Sequence, residues 1–213
     1  MVILQEATDP AVVEQIAQES ALPHFASREG YSVAFLSKSL PAFYKWHEVR
    51  GIRSPFLEVQ LPDTTPRIFG VHLTALLVNR LERRRAHEIE SLLKIVGDSA
   101  AHLLIGDFNT VMGKDDTQIK KMPLWLRLLI MSNGGIHPRA LRVLLDAGYI
   151  DVFRHLHTSD TGFTLPTPTP NTRLDYAFLP SEHISRVSRC QVINTPDAVN
   201  IASDHYPLIL EIV

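Results

Sequence analysis

Apolar residues in this chain come mostly in short runs, and two spacings recur. Residues 31–37 (YSVAFLS) and 42–49 (AFYKWHEV) are rich in β-branched and aromatic residues and are bounded by turn formers, which predicts two strands joined as a hairpin or meander. Residues 55–61 (PFLEVQL) and 67–73 (RIFGVHL) flank PDTTP, two prolines and an aspartate, a further strand–turn–strand signal. Residues 102–105 (HLLI), 173–179 (RLDYAFL), 188–193 (SRCQVI) and 205–213 (HYPLILEIV) also read as strands. The chain opens on VILQ, which reads as the end of a buried strand. Helical spacing is clearest over residues 79–97, where Leu81, Ala86, Ile89, Leu93 and Val96 share a face and Gly97 stands where a C-terminal cap belongs. A second amphipathic helix is predicted over residues 138–149, with Pro138 near its start and Gly148 after its end. A third begins at Asp9-Pro10, a capping residue followed by a proline suited to the first turn. Residues 164–172 (TLPTPTPNT) read as a loop. Many strands, few helices and frequent turns predict a mixed α/β or α+β fold rather than a regular βαβ series, organised as one domain over residues 1–213.

Composition changes this picture little. Hydrophobic residues make up 45% and charged residues 21% of the 213 positions, enough apolar material for a full core. A net charge of −2 supplies no global positive field for nucleic acid. One cysteine, Cys190, excludes an intramolecular disulfide and a cysteine-rich zinc site, and a cytoplasmic location is expected. No signal peptide and no transmembrane run is evident.

The chemistry gathers at strand ends. Glu6 ends VILQ, His72 ends RIFGV, and Asp107 and Asn109 follow HLLIG. Arg173 and Asp175 open LDYAFL, and Asp204 and His205 open YPLILEI. Five apolar segments therefore each deliver polar groups, and they form one site if those ends converge on one rim of a sheet. Glu6 and Asp204 are hard oxygen donors suited to Mg²⁺ or Mn²⁺. A histidine backed by a carboxylate is oriented and made more basic. An aspartate beside an asparagine can place an attacking water. Together these parts point to metal-assisted phosphoester hydrolysis.

In order, LQE, GVHL, LIGDFN, RLDYAF and SDHYPL resemble the motifs of the endonuclease/exonuclease/phosphatase family, which includes deoxyribonucleases, abasic-site endonucleases, sphingomyelinases and inositol polyphosphate phosphatases. The resemblance implies a four-layer α/β/β/α sandwich of two mixed sheets. It implies Glu6 as the metal-binding glutamate, with Asp204 supporting the metal directly or through water. Asp107 would position or deprotonate the attacking water, and Asn109 would contact the phosphate. Asp175 would orient His205, which contacts the scissile phosphate or transfers a proton. His72 would touch phosphate or assist the leaving group. The implied partner is a phosphodiester or phosphomonoester, in nucleic acid, phospholipid or a small sugar phosphate. The rival reading is a catalytically impaired member that acts as a binding protein. Family members normally begin with one more strand and helix, so Met1 stands where the third element is under way. A start set too far downstream is the expectation, and a truly short variant the alternative.

Three further features carry more than one reading. Arg80, Arg83, Arg84 and Arg85 could meet a nucleic-acid backbone, but read better as a solvated helix face with an Arg84–Glu88 pair. His155 and His157 have a spacing some zinc sites use, which with His72 would make a zinc enzyme; they read better as loop residues. Residues 122–135 (MPLWLRLLIMSNGG) form either a core helix or an apolar lip around Trp125 and Leu128 able to touch lipid.

Overall fold

The computed structural model describes residues 1–62, 66–97 and 101–213. Six strands, β4 (Phe43–His47), β5 (Phe56–Gln60), β6 (Arg67–His72), β7 (His102–Asp107), β8 (Tyr149–Asp151) and β9 (Asp175–Pro180), form the main sheet in the order β4-β5-β6-β7-β9-β8. Only the β6–β7 pair is parallel; the others are antiparallel. A three-stranded sheet has β3 (Val33–Ser37) between β1 (Val2–Gln5) and β2 (His24–Ala26), and β10 (Val187–Val192) pairs with β11 (Leu208–Ile212).

Alternation along the strands builds the layers, because successive side chains point to opposite faces. Phe69, Val71, Leu104 and Phe178 face α2 (Asn79–Val96) and α4 (Arg139–Asp146), which bury Ala86, Ile89, Leu92, Leu141 and Leu144 against them. On the other face, Leu103, Ala177 and Leu179 pack with Cys190, Leu208, Leu210 and α5 (Val152–Leu156). Leu57 and Val59 meet Val33 and Phe35 of the small sheet. Ala34 and Leu36 of the same strand are fully buried toward its far side, where α1 (Pro10–Glu19) supplies Val13 and Ala17. Helices, main sheet, smaller sheets and an outer helix make the four layers expected of an α/β/β/α sandwich. Each fully buried Leu, Ile or Phe in these layers contributes about 1.5–3 kcal/mol.

The helix signals hold. Asp9 Oδ1 accepts from the Ala11 amide at 2.9 Å with Pro10 in the first turn, and Gly97 closes α2 at φ 62°. Two readings need correction. Residues 31–37 and 42–49 form strands but no hairpin: β3 pairs with β1 and β2, while β4 pairs with β5 in the other sheet. Their apolar patterns fit either sheet, and the pattern carries no information on pairing partner. The arginine run is not wholly solvated either. Arg80, Arg83 and Arg84 are exposed and Arg84 pairs with Glu88 at 3.3 Å, but Arg85 is buried. It lies on the same helix face as Ala86 and Ile89, and Glu82 (2.8 Å) and the carbonyls of Thr74 and Leu76 satisfy it. β5 and β6 do pair as predicted. Residues 63–65 of the turn between them lie outside the described residues. Among the described residues no helix is long and apolar enough to cross a membrane.

Candidate active site

Three neighbouring strands of the main sheet end their pairing on one row. His72 of β6 is in register with Asp107 of β7, and Asp107 with Asp175 of β9. Parallel β6 and β7 therefore finish where antiparallel β9 begins, and three polar side chains stand side by side. His72 Nε2 is 3.7 Å from Asp107 Oδ2. His205, thirty residues downstream of Asp175, returns to place Nδ1 2.7 Å from Asp175 Oδ2.

The turn after β7 is built tightly. Gly106 has φ 140°, and a Cβ there would sit 2.1 Å from the Val71 carbonyl oxygen and 3.0 Å from Gln5 Nε2. Asn109 adopts φ 51°, a left-handed conformation that Asn tolerates better than most residues. Its amide N–H donates to Asp107 Oδ1 (2.7 Å), and its Nδ2 donates to Asp107 Oδ2 (2.7 Å) and the Leu73 carbonyl (3.0 Å). Both hydrogens of the Asn109 amide are thus engaged, and the side chain grips Asp107. Glu6 follows β1 at φ 57°, also left-handed, with its carboxylate exposed. Two non-glycine residues in this sparsely populated region at one site is a concentration of strain typical of functional positions.

Electrostatics divides the groups. Burial, then the Asp175 charge, with a smaller push from Glu6, raises Asp107 to about 8. Burial alone would lower His205, but its hydrogen bond to Asp175 and the charges of Asp175, Asp107 and Asp204 raise it to about 9. Burial lowers His72, although Glu6 opposes this. His72 Nδ1 is buried with no hydrogen-bond partner among the described residues.

His72, Asp107, Asn109, Asp175 and His205 are thus brought together in close contact. Glu6 and Asp204 stand exposed at the edge, near enough for their charges to act on Asp107 and on His205 respectively. Arg173 is not part of this group. It is buried beneath the site, bonded to Asp116 (2.9 Å) and Asp151 (2.7 Å) with its guanidinium 4.3 Å above the Tyr176 ring. His157 is not beside His72 either: its Nε2 contacts the Cys190 carbonyl at 2.7 Å. Sequence reasoning also missed the residues that hold the His205 segment. Thr167 donates to the Ser203 carbonyl (2.6 Å) through its hydroxyl and to the Asp204 carbonyl (2.9 Å) through its amide. The Tyr206 amide donates to the Thr164 carbonyl (2.8 Å). These bonds fall inside the Pro/Thr-rich loop, where no periodicity marks them.

Among the described residues no three His, Cys, Asp or Glu side chains group as a metal cage. The donors that are present nonetheless fit Mg²⁺ or Mn²⁺. Mg²⁺ keeps several waters and takes one or two carboxylates, which the exposed Glu6 and Asp204 can supply. Burial is the main cause of the rise at Asp107, and the Asp175 and Glu6 charges that add to it are what a cation would relieve.

The chain matches the sequence profile of the Endonuclease/Exonuclease/phosphatase family over residues 1–205. No curated protein sequence matches it. Among solved structures it is similar to an AP endonuclease from Archaeoglobus fulgidus, with a TM-score of 0.77 and 16% identity over 99% of this chain and 87% of that one. A 3'-5' exonuclease (NExo) from Neisseria meningitidis gives a TM-score of 0.68 at 17% identity, covering 91% and 82%. A 3' phosphatase NExo from Neisseria bound to a product DNA hairpin gives 0.69 at 16%, covering 99% and 85%. At these identities the likeness is one of fold.

Proposed function

This chain belongs to the Endonuclease/Exonuclease/phosphatase family, whose members hydrolyse phosphoester bonds, and from that premise we propose that it is a divalent-metal-dependent phosphodiesterase. The observation that carries the reading is the paired arrangement of Asp107 gripped by Asn109 and, one strand away, His205 gripped by Asp175.

In this reading Asp107 is the general base. Asn109 fixes both of its oxygens from behind and leaves the remaining lone pairs to align a water. With its pKa raised to about 8, the carboxylate is basic enough to take a proton near neutral pH. His205, held by Asp175 through Nδ1, presents Nε2. Raised to about 9, it is protonated at neutral pH and donates to a non-bridging phosphate oxygen as charge builds in the transition state. His72, kept neutral by burial, lines the other side of Asp107 and contacts the phosphate or the leaving oxygen. Asn109 acts through Asp107, since its amide hydrogens are already in use. Glu6, with Asp204 directly or through water, would hold Mg²⁺ or Mn²⁺. When bound, the cation neutralises phosphoryl charge and polarises the ester. The similar solved structures include a 3' phosphatase bound to a product DNA hairpin and an AP endonuclease, which is a reason to test DNA alongside phospholipids and small phosphoesters.

The test is hydrolysis of an activated soluble phosphodiester with Mg²⁺, with Mn²⁺ and with EDTA, beside Asp107→Ala. Metal-dependent turnover that falls by about 10³-fold or more in the variant is expected, as for loss of a general base and its aligned water. Turnover that survives EDTA, or that Asp107→Ala retains, overturns the assignment.

A further inference from the structure

The segment that follows the catalytic turn carries a surface whose chemistry differs from the rest of the chain. α3 (Leu124–Ser132) buries only Ile130 and presents Leu124, Trp125, Leu128 and Met131 to solvent at 65%, 64%, 57% and 69% exposure. Their spacing of one, four and seven residues from Leu124 puts all four on one helix face. A core helix would bury that face, so the core-helix reading of this segment fails. Beside it lies a largely apolar groove of about 600 Å³, lined by Thr117, Gln118, Ile119, Lys120 and Ile136.

Charge on this segment is one-sided. From Thr117 to Leu145 the sequence holds Lys120, Lys121, Arg127, Arg139 and Arg142 and no Asp or Glu, in a chain with 21 basic and 23 acidic residues overall. Lys120 and Lys121 are exposed immediately before the apolar helix. An exposed apolar face flanked by cations is complementary to an anionic bilayer, whose interface takes both. A nucleic acid would pair the cations but leave Leu124, Leu128 and Met131 hydrated. A second copy seated on the same face would bring five cations against five.

We propose that the α3 face and its flanking lysines dock this protein onto an anionic lipid bilayer, with Trp125 and Leu128 entering the interface and Lys120 and Lys121 meeting lipid phosphates. The groove is fastened to the catalytic turn. Gly113, four residues beyond Asn109, lines it, and the Gln118 amide donates to the Asn171 carbonyl at 2.7 Å, just before the segment leading to Asp175. The inference does not depend on the catalytic reading, because binding is measured without turnover.

The experiment is flotation of the full chain with phosphatidylcholine vesicles, with and without phosphatidylglycerol, for the wild type, W125S/L128S and K120E/K121E. Binding is expected only where phosphatidylglycerol is present, weakened at least about tenfold by each double variant, in keeping with loss of the apolar area or of two charges. Unchanged melting and unchanged turnover of a soluble diester keep the variants comparable. Three outcomes overturn the proposal: no flotation with anionic vesicles, including the case where Trp125-dependent binding to single-stranded DNA or Trp125-dependent dimerisation is found instead; flotation that W125S/L128S leaves intact; or flotation that K120E/K121E leaves intact.

Discussion

Replacing Arg173 with Met tests whether this residue belongs to the chemistry or to the scaffold beneath it. Its guanidinium is buried and makes four bonds to two carboxylates: Nε and Nη2 to Asp116 Oδ1 at 3.1 and 2.9 Å, and Nη1 and Nη2 to Asp151 at 3.0 and 2.7 Å. Asp116 also receives Arg154 (3.1 Å), the Tyr176 hydroxyl (3.1 Å) and the Met112 amide (3.0 Å). Met matches much of the stem and its contact with Tyr176, so packing is largely kept. What is lost is the charge that balances buried Asp116 and half-buried Asp151. Breaking a buried pair by removing one partner costs about 3–5 kcal/mol. For a chain of this size that corresponds to a fall in Tm of about 6–20 °C.

The assay is thermal unfolding followed by circular dichroism, with Arg173→Met compared with the same change plus Asp116→Asn and Asp151→Asn. If the cost comes from unbalanced charge, the triple variant regains part of the lost Tm, because Asn retains an acceptor for the Met112 and Arg154 amides without the charge. A single variant within about 2 °C of wild type, or a triple variant no more stable than the single one, refutes the reasoning. Turnover measured well below the variant's Tm adds a second check. A buried Arg173 that acts only as scaffold leaves most of it, whereas direct contact with phosphate would lose it.

Two other outcomes follow from the site. In EDTA, Asp107 (3.8 raised to about 8) and His205 (6.5 raised to about 9) both keep protons in the native state that the unfolded chain has released. Stability from Asp107 is therefore lost as pH rises from about 4 to about 8, and that from His205 as pH rises from about 6.5 to about 9, so Tm should fall most steeply where the two windows overlap, and Asp107→Asn should flatten the slope below about pH 8; a Tm that rises between about pH 6.5 and 8 contradicts the assignment. Gly106→Ala would drive a Cβ to within 2.1 Å of the Val71 oxygen at φ 140°, so a loss of at least about 2 kcal/mol, or about 4–8 °C in Tm, is expected with loss of turnover, and an unchanged melt would show that the turn relaxes.

Much of the fold was legible because apolar runs and turn residues report local structure directly. Pairing was not. β3 and β4 look like successive hairpin strands in sequence, yet they join different sheets, since what decides is which buried face each can match, a long-range property. The polar strand ends were legible for a related reason: a polar group that closes an apolar run is placed at the rim wherever the run is buried. The same logic could not separate Arg173 from Asp175. They stand two positions apart in one motif, but Asp116 and Asp151, which draw Arg173 inward, lie 57 and 22 residues away. Arg85 escaped in the same way, because a run of like charges reads as solvated until Glu82 and two carbonyls are seen beneath one of its members.

The site is arranged against the sheet's own preferences. Register places Asp107 opposite Asp175, and like charges directly opposite one another destabilise a sheet. Both residues are buried, so solvent does little to screen them. The pair persists because other groups share the charge. Asn109 donates twice to Asp107, and a protonated His205 bridges to Asp175. The second of these must come from far along the chain, which gives the bonds of Thr167 and Tyr206 a purpose: they hold the segment carrying His205 over the carboxylates. A sheet selected for stability alone would put an apolar residue or a salt bridge at this register position. Retaining two acids there, one raised toward neutrality and one committed to a histidine, costs stability, and in the mechanism proposed above that cost is what supplies a base and an acid able to work at the same pH.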